Sequence, residues 1–66
     1  LTSVSFHKIN SDYWEVFLDK TALGYLELEY GEDEWCFTAY REQFSNTDLA
    51  DILQKLNELN ENLSVA

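Results

Sequence analysis

The chain has 66 residues, 45% hydrophobic and 15% aromatic, with thirteen Asp and Glu against four Lys and Arg for a formal net charge of −9. A chain this short makes one domain that buries only roughly 60% of its unfolded surface, so its core must be thin, yet the apolar content excludes a disordered composition. The single cysteine, Cys36, excludes an internal disulfide and any multi-cysteine zinc motif, which leaves large aromatic side chains to supply much of the burial.

Val4 to Ile9 reads as a first short strand, closed by Asn10, Ser11 and Asp12, whose side chains favour turns. Tyr13 to Leu18, YWEVFL, is rich in aromatic and β-branched residues and forms the second strand. The stretch DKTALG then reads as a turn. After it, Tyr25 to Tyr30 alternates with period two, setting Leu26, Leu28 and Tyr30 on one face and Tyr25, Glu27 and Glu29 on the other. A further turn at GED leads into EWCFTAY, Glu34 to Tyr40, the fourth strand, with Trp35, Phe37 and Ala39 alternating against Cys36, Thr38 and Tyr40. Such short connections imply antiparallel neighbours.

The last segment carries the signals of a helix. Ser45 is a suitable N-cap, Asp48 can complete an Asp version of the capping box, and Phe44 with Leu49 can form a hydrophobic staple. From there Leu49, Ile52, Leu53, Leu56, Leu59 and Leu63 recur at spacings of three and four, drawing one apolar stripe. Asp48, Asp51, Lys55, Glu58 and Glu61 take the other side, with Asp51 and Lys55 spaced to pair along the helix. The expected fold is therefore α+β: a four-stranded antiparallel β-meander followed by one C-terminal α-helix packed on one face, ββββα in two layers. The expected core is Val4, Phe6, Trp14, Val16, Leu18, Leu26, Leu28, Trp35 and Phe37, with Tyr30 at its margin.

One helix covers one sheet face, so the other stays open. On it fall His7 and Ile9, then Tyr13, Glu15 and Phe17, then Tyr25, Glu27 and Glu29, and finally Cys36, Thr38 and Tyr40. Solvated sheet faces ordinarily hold Thr, Lys, Ser and Glu. Large, stiff, partly polar aromatics are instead enriched where proteins bind one another. Tyr13, Glu15, Phe17, Tyr25, Glu27, Glu29 and Tyr40 are accordingly the expected partner-binding residues. Glu32, Asp33 and Glu34 should cap the adjacent hairpin at one end of the sheet.

The charge restricts the choice of partner. Lys8, Lys20, Arg41 and Lys55 are scattered singly, which argues against direct binding to nucleic acid or to anionic membranes, because both draw on clustered cations. A basic protein is the natural partner by long-range attraction. No apolar run approaches the ~20 residues that span a bilayer, the N-terminal residues lack signal-peptide organisation, and a lone thiol suits the reducing cytoplasm.

Catalytic, cofactor and metal chemistry find no support in the sequence. Glu27 and Glu29 would stand ~7 Å apart along one strand, a separation compatible with acid–base hydrolysis, but on an open face without a cleft. The acidic loop matches no EF-hand spacing, and the two glycines, Gly24 and Gly31, make no phosphate-binding loop. His7 with Cys36 would need a particular strand order to meet as a thiol–imidazole pair. The leading expectation is thus a non-enzymatic module that docks a basic protein. Two alternatives compete with it: a DNA mimic that occupies a nucleic-acid-binding protein, and a homodimer that buries the open face. Small size and acidity together are in keeping with the host-directed proteins of phages and other mobile elements, a likeness of type that identifies no residue.

Overall fold

The computed structural model describes residues 3–64; Leu1, Thr2, Val65 and Ala66, which the single-domain assignment includes, lie outside the described residues. Strands β1 (Val4–Asn10), β2 (Tyr13–Leu18), β3 (Thr21–Glu27) and β4 (Cys36–Ala39) precede one helix, α1 (Asn46–Ser64). The strands form one antiparallel sheet in the order β1-β2-β3-β4, and α1 packs across it, touching β1 at one edge and β4 at the other. This is the α+β meander with a covering helix that the sequence implies.

Local chemistry sets the turns. Between β1 and β2 the Asn10 side-chain oxygen accepts a hydrogen bond from the Asp12 backbone N–H at 2.8 Å, an Asx turn. Ile9 is the extra residue of a bulge there, because the register steps from Lys8↔Trp14 to Asn10↔Tyr13. β2 and β3 are joined through Asp19 and Lys20 alone, and Asp19 takes φ 54°, a left-handed conformation that Asp tolerates.

β3 corrects the sequence reading. It begins at Thr21 and ends at Glu27, so DKTALG is mostly strand and Tyr30 lies outside the sheet. The reason is a second bulge: Val16 pairs with Gly24 and Phe17 with Ala22, leaving Leu23 as the extra residue. The bulge carries Leu23 into the core, where it is fully buried with Val16 and Leu26. Gly24 is required by crowding. A Cβ there would run into the Thr38 carbonyl oxygen and stand 2.9 Å from Cε1 of Phe37. Past Glu27, Leu28 still packs against the core and its N–H donates to the Asp12 carbonyl at 2.9 Å. The chain then leaves through a turn in which the Glu32 N–H donates to the Glu29 carbonyl at 3.0 Å, and Tyr30 stands wholly in solvent instead of at the core margin.

β4 is likewise shorter than expected, Cys36 to Ala39. Trp35 precedes it, yet is buried, because α1 holds its backbone. The Trp35 N–H donates to Oδ1 of Asn60 at 2.6 Å, and Nδ2 of Asn60 donates back to the Trp35 carbonyl at 3.4 Å. One helix side chain thereby takes the place of a ladder partner.

Ser45 caps α1 as expected: its hydroxyl accepts from the Asp48 N–H at 3.1 Å and its carbonyl from the Leu49 N–H at 3.0 Å. Its neighbours behave differently from the box and staple. The buried Asp48 carboxylate faces Arg41 at 3.7 Å, and Phe44 packs edge-on against Phe37 with centroids 5.8 Å apart. The stripe that packs on the core is the buried Ile52 with the half-buried Leu56, Leu59 and Leu63. Leu49 and Leu53 remain 45% and 58% exposed, since at roughly 100° per residue Leu53 sits a quarter turn from Ile52. Lys55 does not pair with Asp51; its ammonium lies 4.1 Å from the Trp14 ring centroid and 5.8 Å from that of Phe6.

Two substitutions test this account by urea denaturation. Gly24→Ala should cost about 2–3 kcal/mol through overpacking against Thr38 and Phe37. Asn60→Ala should cost about 1–3 kcal/mol by orphaning the Trp35 N–H. A loss below a few tenths of a kcal/mol in either would contradict it.

Candidate functional site

Strand register arranges the face turned away from α1. Directly opposed residues share a side of the sheet, so Ser5, Phe17 and Ala22 form one row, His7, Glu15, Tyr25 and Thr38 a second, and Tyr13, Glu27 and Cys36 a third. Val16, Leu26 and Phe37 point the other way into the core. The face is therefore uncovered by the other described residues. Ser5 and Ala22 join it as residues that the sequence reading left out, Ala22 because the bulge at Leu23 resets the alternation.

The tyrosines form a connected group. Tyr13 and Tyr25 stack with centroids 5.1 Å apart and planes inclined by 18°. Tyr40, just beyond β4, tilts over Tyr25 at 5.8 Å and 52°. Its place is fixed by a backbone bond, the Tyr40 N–H donating to the Leu23 carbonyl at 2.8 Å. At the β1 side the His7 and Phe17 rings meet edge-on at 5.2 Å. Carboxylates alternate with these rings: Tyr13 is opposed by Glu27, and Tyr25 by Glu15. Six of the seven expected partner-binding residues, Tyr13, Glu15, Phe17, Tyr25, Glu27 and Tyr40, thus stand together on one surface.

Glu29 is placed differently. It lies past the end of β3, in the connection to β4, because the strand stops at Glu27. It still borders the face, where Glu27, Glu29, Glu32 and Glu34 line a recess of about 230 Å³ with Cys36 and Thr38. Glu32 and Glu34 therefore extend the acidic surface, as their position at the hairpin end implies. Among the described residues no group of His, Cys, Asp and Glu side chains is placed to hold a metal ion. His7 and Cys36 occupy the two outer strands, roughly 14 Å apart at the usual strand spacing, so they do not form a thiol–imidazole pair.

Packing of the rings alters one acid. The Tyr13 hydroxyl is pushed up from 10.0 to about 12, first by desolvation, then by the neighbouring Tyr40 hydroxyl and the Glu15 and Tyr25 charges. No helix among the described residues is long and apolar enough to cross a membrane.

The linkage has a definite sign. Folding favours the neutral form of Tyr13, so its contribution to stability is intact below pH 10 and is lost as pH rises from 10 to about 12. Titration of tyrosinate absorbance should show a step near 12. In Tyr40→Phe that step should move only partway toward 10, because desolvation, the larger cause, remains. An unshifted step in the variant would contradict the Tyr13–Tyr40 contact.

Comparison with protein-family models, with curated proteins and with solved structures finds no match to this chain, so its functional reading rests on the surface just described.

Proposed function

We propose that the protein is a non-enzymatic interaction module that docks a basic protein through its acid and aromatic sheet face. The observation that carries this reading is the Tyr13–Tyr25–Tyr40 group interleaved with Glu15 and Glu27 on the side that α1 leaves uncovered. Tyrosines supply contact area with little conformational entropy to lose, and the carboxylates supply selection for positive charge. A net charge of −9 draws a basic partner in from a distance. A second copy of the chain is disfavoured on the same ground, because its identical carboxylates would face these across the contact. DNA mimicry calls for an unbroken run of negative charge, whereas here each carboxylate on the sheet is opposed by a ring. The exposed thiol of Cys36 suits a reducing compartment, and the cytoplasm is where we place the encounter.

The test is affinity for a captured and purified basic partner, measured by calorimetry across a salt series. Binding should weaken steeply with salt. Tyr25→Ser should cost about 1–2 kcal/mol as a central aromatic contact, with Glu27→Gln and Glu29→Gln smaller and acting mainly on the salt slope. Unaltered affinity in all three variants would remove the proposal.

A further inference from the structure

The same face allows a narrower statement about what it binds, one that rests on the reading just given. Tyr25 is bracketed by carboxylates, Glu15 opposite it across the strand pair and Glu27 two residues along its own strand. Tyr13 stacks on it from the diagonal position, and Tyr40, 56% exposed, tilts over its other side. Among the described residues the one ion pair is Arg41 with Asp48, on the helix side; Glu15 and Glu27 make none, although Lys20 shares a recess with Glu15. The face thus presents π surfaces and unpaired carboxylates within one side-chain length of each other.

The molecule shows what each kind of cation does with such surroundings. Its sole arginine, Arg41, lies over the Phe44 ring with Cζ 5.0 Å from the centroid and reaches the Asp48 carboxylate at 3.7 Å. A planar guanidinium can stack through its flat side while its edges donate to a carboxylate. Lys55, by contrast, sits over Trp14 and Phe6 and makes no ion pair, although Asp51 is one helical turn away. An ammonium is a compact point charge with no edge left over.

We infer that the open face is an arginine-reading surface: a guanidinium group of a protein partner stacks on the exposed Tyr40 ring, beside the Tyr13–Tyr25 stack, and donates to the carboxylates Glu15 and Glu27. Charge complementarity selects a basic segment, and the pairing of ring with carboxylate selects arginine over lysine within it.

Oligo-arginine and oligo-lysine peptides of matched length are the probes, titrated against the full chain at matched ionic strength with chemical-shift mapping by NMR. The arginine peptide should bind about fivefold to tenfold tighter and shift residues of the Tyr25 and Tyr40 region. Tyr40→Ser, at an exposed position beyond β4, and the near-isosteric Glu27→Gln should each bring the two peptides close to equal affinity while circular dichroism stays unchanged. Glu34→Gln, in the recess, should weaken both peptides alike. Equal, salt-sensitive binding of both peptides by the unaltered protein would overturn the arginine preference and leave the basic-partner reading standing. Absence of binding to either at low salt would overturn both. Self-association that Tyr40→Ser abolishes would show a second copy on the face and would likewise overturn the inference.

Discussion

A sheet has two faces and a single helix has one apolar stripe. In this chain α1 spends its stripe, Ile52, Leu56, Leu59 and Leu63, on the side where Val16, Leu23 and Leu26 are fully buried. Everything else follows from that allocation. Because so few residues are fully enclosed, the helix is also held by a polar device, the Asn60 side chain clasping the Trp35 backbone from both directions. The remaining face must limit its own contact with water. It does so by packing rings on rings, Tyr13 on Tyr25 and His7 against Phe17, so the residues that stabilise the open side are also those proposed to meet a partner.

Two of the four cations are held on the helix side, while Lys20 shares a recess with His7, Glu15 and Phe17 on the open side. Arg41 is engaged by Asp48 and Phe44, and Lys55 by Trp14 and Phe6, all on or beside the helix layer. On the open side Glu15 is opposed by His7 and Tyr25 and borders Lys20, Glu27 is opposed by Tyr13 and Cys36, and the recess beside Glu27 adds Glu29, Glu32 and Glu34. The excess negative charge therefore has a direction. In the proposed encounter such a field would raise the rate of approach of a basic surface and orient it, and the tyrosines would provide the short-range contact that charge alone does not.

Much of this was legible in the sequence because helix and strand periods are strong signals where nothing interrupts them. The Ser45 cap, the stripe from Ile52 to Leu63, and the side taken by each residue of YWEVFL follow from local chemistry and spacing. All nine residues expected at the heart of the core, from Val4 to Phe37, pack there. Apart from Leu49 and Leu53, which the expected stripe included and the helix leaves exposed, the errors cluster where the period is broken. Gly24 in TALGYL reads as a turn residue, but it is a strand glycine where β3 presses against β4, next to a bulge that turns Leu23 inward. That irregularity accompanies the earlier start of β3, while its end at Glu27 falls where both neighbours begin, at Tyr13 and Cys36, leaving Glu29 and Tyr30 in the connection beyond. The clasp of Trp35 by Asn60 joins positions 25 residues apart, and nothing in the local pattern announces it.

The central claim is that the tyrosine face is open in the monomer, and solvent accessibility of its side chains tests this most directly. Side-chain NMR relaxation measured with a soluble paramagnetic probe should show strong enhancement at Tyr40, intermediate enhancement at Tyr13 and Tyr25, and little at Val16 and Leu26. If the three tyrosines were as protected as Leu26 in dilute, monomeric protein, the face would be covered by the chain itself and the account would be wrong.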